Sequence, residues 1–194
     1  NKSSTVVLER SPQQVANMRS VGIKSYFGDA SRPDLLHTAG VAEAALVVVA
    51  IDQQDEAIEL TRHLKHLYPE IPVLARAYDR GHLYALREAG ADWVVSETYH
   101  SALTLANESL KRLGFHPFQA RELTAVFDEA EDRGRNMLYE HWLTKDEGER
   151  YGRGFQSLYI ELEEALHELM LKDRDDKHDR GERGWTPPPK GYVD

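Results

Sequence analysis

From Thr5 to about Leu113 short β-branched runs alternate with amphipathic segments, and this alternation limits the possible folds more than any other feature. Strands separated by helix-length segments cannot pair as hairpins. They need crossovers, and the crossover helices then cover a parallel sheet. The expected strands are 5–8, 24–27, 45–51, 71–76 and 93–95; the third is apolar throughout, as suits a central strand covered on both faces. Ser11 before Pro12 reads as an N-cap with a first-turn proline, opening a helix that carries Val15, Met18 and Val21 on one face before Gly22. A second helix is expected over 55–68, a third from Asp79 or Gly81 to Gly90 with Leu83, Leu86 and Ala89 on one face, and a fourth over 99–113.

Past Gly114 the strand-like runs stop. Phe115-His116-Pro117-Phe118 reads as a linker, followed by helices over 122–143, weakened by Gly134, and 155–171. The expected organisation is therefore a parallel α/β domain over 1–114, a helical extension over 115–171 and a charged tail over 172–194 whose composition cannot build a core. The apolar stripes of the later helices, with Leu103, Leu110 and Leu113, call for a partner such as a second copy.

Composition removes several function classes. There are no cysteines, so thiol nucleophiles, thiolate metal sites and direct thiol redox sensing are excluded. With 24 Lys and Arg against 33 Asp and Glu, the formal charge of −9 opposes nucleic-acid binding. No apolar run of about eighteen residues points to a membrane span, and the chain reads as soluble and intracellular. No nucleophile motif, P-loop or acid–base constellation is visible, so an enzyme is not expected. His63 and His66 have the spacing of metal ligands, but no carboxylate pattern accompanies them.

Each expected strand runs into a polar residue at the edge where open α/β sheets bind ligands. Glu9 is placed either to take both hydroxyls of an adenosine ribose or simply to favour the start of a helix. Gly28-Asp29-Ala30 suits a flat ring with an exocyclic amine, or a plain turn. Ala50-Ile51-Asp52 leaves room for a ligand, and Arg76, a cation within an apolar strand, needs either a phosphate or a structural ion pair.

Taken in order, Glu9, Gly28-Asp29-Ala30, Asp34-Leu35-Leu36, Ala39-Gly40, Ala50-Ile51-Asp52, Ala75-Arg76-Ala77, Leu86-Arg87-Glu88-Ala89-Gly90 and Glu97-Thr98 resemble the RCK or KTN domain of potassium channels and transporters. Tyr26-Phe27-Gly28-Asp29-Ala30, His82 with Leu86-Arg87, Glu97-Thr98-Tyr99 with Ala102-Leu103, and the extension ending in Gly184-Trp185 are similar to the cytosolic regulatory domain of the Kef glutathione-gated potassium efflux systems.

The resemblance implies a Rossmann-like parallel sheet, entered here at what would be its second strand, without the family's opening strand and G-x-G-x-x-G turn. It leaves the first strand short of a neighbour. It also implies a nucleotide, AMP or NAD(H), held by Glu9, Arg10, Gly28, Asp29, Ala30, Ala50, Ile51, Asp52 and Arg76, and glutathione as regulatory ligand at Arg87, Asn136 and His82. The implied setting is a homodimer on the cytoplasmic side of a bacterial inner membrane. Its implied partners are an integral membrane potassium efflux domain and a flavodoxin-like quinone oxidoreductase as ancillary subunit. Two other classes stay open on the residues alone: a fragment of a nicotinamide-dependent dehydrogenase, and a structural dimerisation module with no nucleotide.

Overall fold

The computed structural model describes residues 4–182, with side chains to Leu171, and forms two compact units, Asn1–Glu97 and Thr98–Asp194. The first unit runs β1 (Val6–Glu9), α1 (Pro12–Ser20), β2 (Lys24–Phe27), α2 (Pro33–Ala39), a 3-10 turn (Val41–Glu43), β3 (Val47–Val49), α3 (Gln54–Leu67), β4 (Val73–Ala77), α4 (Arg80–Glu88) and β5 (Trp93–Ser96). All ladders are parallel. They form two pieces, β1 with β2 and β3 with β4 with β5. Among the described residues no ladder joins β1 to β3, so β1 has one partner, as expected for it.

Strand alternation sets the core. Val73, Ala75 and Ala77 alternate as buried residues along β4, and Val49 is buried beside Ala75 in register. The apolar sides of α3 and α4, with Leu60, Leu64, Leu83 and Leu86, are buried as well. On the opposite sheet face Val48, Leu74 and Trp93 form one cross-strand row, in which Val48 is 61% and Trp93 57% exposed.

Several boundaries differ from those expected. The seven-residue apolar run is strand only at Val47–Val49, because β3 has a ladder on one side and the Ala50 carbonyl is taken by the Arg76 guanidinium. Ser11 caps α1 as expected, its Oγ accepting the Gln14 amide, but Val21 lies beyond the last helical turn and is 72% exposed. α2 was not anticipated as a helix; Pro33 starts it and Gly40, at φ 81°, closes it.

The second unit is helical: α5 (Tyr99–Arg112), α6 (Pro117–Leu143), a 3-10 turn (Glu147–Glu149) and α7 (Arg153–Glu182). The expected linker is already α6, since Pro117 sits in its first turn and the His116 ring caps it by accepting the Phe118 amide. Gly134 does not break α6 but faces Leu162 of α7, and Leu138, Trp142 and Phe155 are buried. The Arg150 guanidinium lies 3.8 Å from the Trp142 ring centre and closes the turn between α6 and α7. α7 continues to Glu182, into the stretch assigned from sequence to a tail; residues 183–194, with Gly184-Trp185, lie outside the described residues. No described helix is long and apolar enough to cross a membrane, and no described group of three or more His, Asp or Glu is placed to hold a metal.

Candidate nucleotide site at the carboxyl edge of the sheet

Parallel strands bring their carboxyl ends to one edge, and the polar residues that end them in sequence gather there. Glu9 closes β1, where its Oε1 accepts the Ser11 amide N–H at 2.7 Å, so its carboxylate supports the start of α1 from the edge. Arg10 follows and bridges two carboxylates, Asp29 at 2.8 Å and Glu56 at 2.7 Å, tying the end of β2 to the first turn of α3. Asp29 also accepts the Ser31 amide at 2.9 Å. That amide first, and then Arg10, pull the Asp29 carboxyl down to about 2, so it is a fixed anion at neutral pH.

Gly28 sits just before it at φ 151°, its amide donating to the Glu9 carbonyl at 3.0 Å. A Cβ there would come within 2.4 Å of Leu35 Cδ1, the movable end of a side chain on α2, and the positive φ favours glycine whatever that side chain does. Ala30 follows Asp29, half-buried.

The second cluster rests on the other piece of sheet. Arg76 leaves β4 and donates to Asp52 at 2.6 Å and to the Ala50 carbonyl at 3.0 Å, and it also pairs with Glu97 just past β5. Ala50, Ile51 and Asp52 thus lie around a guanidinium whose side chain is 25% exposed. Both sequence alternatives for this residue remain: an ion pair is formed, and it stands at the ligand edge. The carboxylate partners Glu56 and Glu97 were not picked out as site residues from sequence. For Glu56 the available signal is the acidic first turn of α3, which reads as ordinary helix-entry charge; Glu97 stands in the sequence motif at the end of the last strand, with no ligand assigned to it there.

The residues expected to meet glutathione are distributed differently. Arg87 is half-buried in the last turn of α4, in the first unit, and Asn136 is exposed on α6, in the second. His82 has a buried ring, 3% exposed, that holds the Tyr78 amide. It lies on the inward face of α4 with Leu83 and Leu86.

Carboxylate acceptors, small residues and two arginines therefore gather at the carboxyl ends of the strands. Residues 1–97 match the TrkA-N domain model, and residues 101–184 match the model for the potassium efflux system KefB C-terminal domain. A solved structure, the Shewanella denitrificans Kef CTD in AMP bound form, superposes with a TM-score of 0.60 at 30% identity, covering 70% of this chain and 96% of that one. The chain belongs to the TrkA-N family, in its Kef C-terminal branch. Glutathione-regulated potassium-efflux system protein KefC of Escherichia coli O157:H7 is 32% identical over 180 residues, as is KefC of Shigella boydii serotype 18. Both alignments cover 93% of this Kef-type chain and 28% of the relative, so the chain spans under a third of the proteins it matches. The resemblance read from the motifs is this family.

Proposed function

We propose that this Kef-type domain is the nucleotide-binding regulatory part of a potassium efflux system controlled by glutathione and its conjugates. The observation that carries the nucleotide half is the convergence of Glu9, Asp29 and Asp52 with Arg10 and Arg76 at the ends of neighbouring parallel strands. AMP in the Shewanella relative supports it. Glu9 takes the ribose hydroxyls, Asp29 and Ala30 the adenine, and Asp52 and Arg76 the rest of AMP or NAD(H). Arg10, Gly28, Ala50 and Ile51 frame the site. A phosphate at Arg76 exchanges one charged acceptor for another, so binding loosens Asp52 or Glu97 without leaving the guanidinium uncompensated.

Regulation requires a ligand that distinguishes two states. Glutathione, held by Arg87 and Asn136 in a homodimer, favours one arrangement, and a bulky conjugate favours another; a ligand bound equally by both would shift nothing. The membrane-embedded efflux domain responds to that shift, and the chain itself catalyses no reaction.

Calorimetry with AMP tests the nucleotide half. Glu9→Ala is expected to weaken binding by roughly 1.5–3 kcal/mol, the scale of hydrogen bonds to a charged group; unchanged affinity removes Glu9 from the site. In the same protein Arg87→Ala is expected to abolish a glutathione-dependent rise in melting temperature while leaving the AMP-dependent rise intact. Equal glutathione shifts in both proteins refute the Arg87 assignment.

A further inference from the structure

The turn between β4 and α4 holds a buried imidazole that nucleotide contact does not use. His82 Nδ1 accepts the Tyr78 amide N–H at 3.1 Å, while the His82 amide donates to Asp79 Oδ1 at 2.8 Å, capping α4. A ring nitrogen that accepts carries no proton, so the neutral ring holds its proton on Nε2, which is buried. The groups facing the ring are Asp79 from the same turn, Arg76 from β4, and Asp55 with the Gln54 backbone from α3. Burial, with a smaller contribution from Arg76, outweighs the two carboxylates and the Gln54 backbone and keeps the ring below the ordinary histidine value. Tyr78 stands two residues beyond Arg76, so the amide that His82 holds belongs to the segment carrying the second cation cluster.

We propose that His82 is a positioning residue for the nucleotide edge that works only while its ring is neutral, making this edge proton-sensitive. A proton on Nδ1 turns the acceptor into a donor, and two N–H groups then face each other in a buried turn. The turn opens, and the chain leading from Arg76 loses its anchor. The unfolded chain takes up this proton near the ordinary histidine value and the folded chain only at lower pH. The latch's contribution is therefore fully present above the ordinary value and is lost as pH falls through the folded one. The affinity part of this inference rests on the nucleotide proposal; the latch itself rests on the turn.

The test compares the 194-residue chain with its His82→Asn variant, whose amide oxygen can accept the Tyr78 N–H but cannot titrate. Melting temperature and AMP affinity are measured from pH 8 to about pH 5.5, a window around the histidine value. The wild type is expected to lose AMP affinity more steeply than the variant, by up to about tenfold per pH unit for one proton, with a parallel excess fall in melting temperature. The AMP phosphate titrates in the same range, and the variant subtracts that contribution. Imidazole nitrogen NMR of the wild type needs no substitution. It is expected to show the Nε2–H tautomer at pH 7 and a Tyr78 amide shift that titrates with the ring. Identical pH slopes in the two proteins, or an Nδ1–H tautomer, overturn the latch. If AMP binds neither protein at pH 8, the nucleotide proposal fails, and the melting slopes and the tautomer decide the latch alone.

Discussion

In the piece built from β3, β4 and β5 one arginine stands between two carboxylates on a strand whose other face is buried, whereas in the piece built from β1 and β2 the same device follows a strand with no fully buried residue. Arg76, between Asp52 and Glu97, has a side chain 25% exposed; Arg10, between Asp29 and Glu56, has one 48% exposed. Val73 on the other face of β4, with Leu64, Tyr84 and Leu86 of the covering helices, is nearly inaccessible, while β1 contains no fully buried residue and α1 contributes Val15 alone. Identical charge chemistry therefore differs in worth. The difference lies in the arginines, since Asp52 is itself 86% exposed: solvent screens Arg10 more, and Arg76 is the more enclosed. On this contrast the β4 side of the proposed nucleotide edge is expected to be the fixed half, and the β1–β2 side the one that adjusts.

The largest expected effect lies in the cores. Leu64→Ala is expected to cost about 2–5 kcal/mol in urea unfolding, the range for emptying a buried leucine site. Val7→Ala, on half-buried β1, is expected to cost about 1 kcal/mol. Equal costs would mean that the two pieces are equally well packed, and the comparison would break.

Next come the arginines themselves. Arg76→Ala is expected to weaken AMP binding about tenfold or more, as loss of a charge-assisted contact does, and Arg10→Ala about threefold. A larger loss at Arg10 would reverse the assignment of fixed and adjustable halves.

Much of the fold was legible in the sequence. β-Branched runs recurring at helix-length intervals specify the parallel sheet, and the Asp79 cap and the Leu83, Leu86, Ala89 face stand where the pattern puts them. What escaped was decided by tertiary partners. Apolarity alone could not show that β3 would pair for only three residues, because ladder length depends on its neighbours. Likewise Glu56 lies 46 residues from Arg10, and nothing local couples them.

The smallest expected effect sharpens the outer half. Asp29 titrates near 2 instead of its ordinary 3.8, so its contribution to stability is present above the ordinary value and is lost as pH falls through about 2. Asp29→Asn is expected to flatten the acid limb of the melting curve below pH 3.8 and to change little at neutral pH. An unchanged acid limb would detach Asp29 from Arg10 and the Ser31 amide.

The central claim is that an adenine nucleotide occupies the carboxyl edge shared by both pieces of sheet, and amide NMR of the labelled chain titrated with AMP tests it most directly. The expected shifts fall at Glu9–Ser11, Gly28–Ser31, Ala50–Gln53 and Arg76–Asp79, with those after β4 accompanied by little change in the core of α4. Saturable shifts confined to α5, α6 or α7, or none at all at millimolar AMP, would contradict the claim.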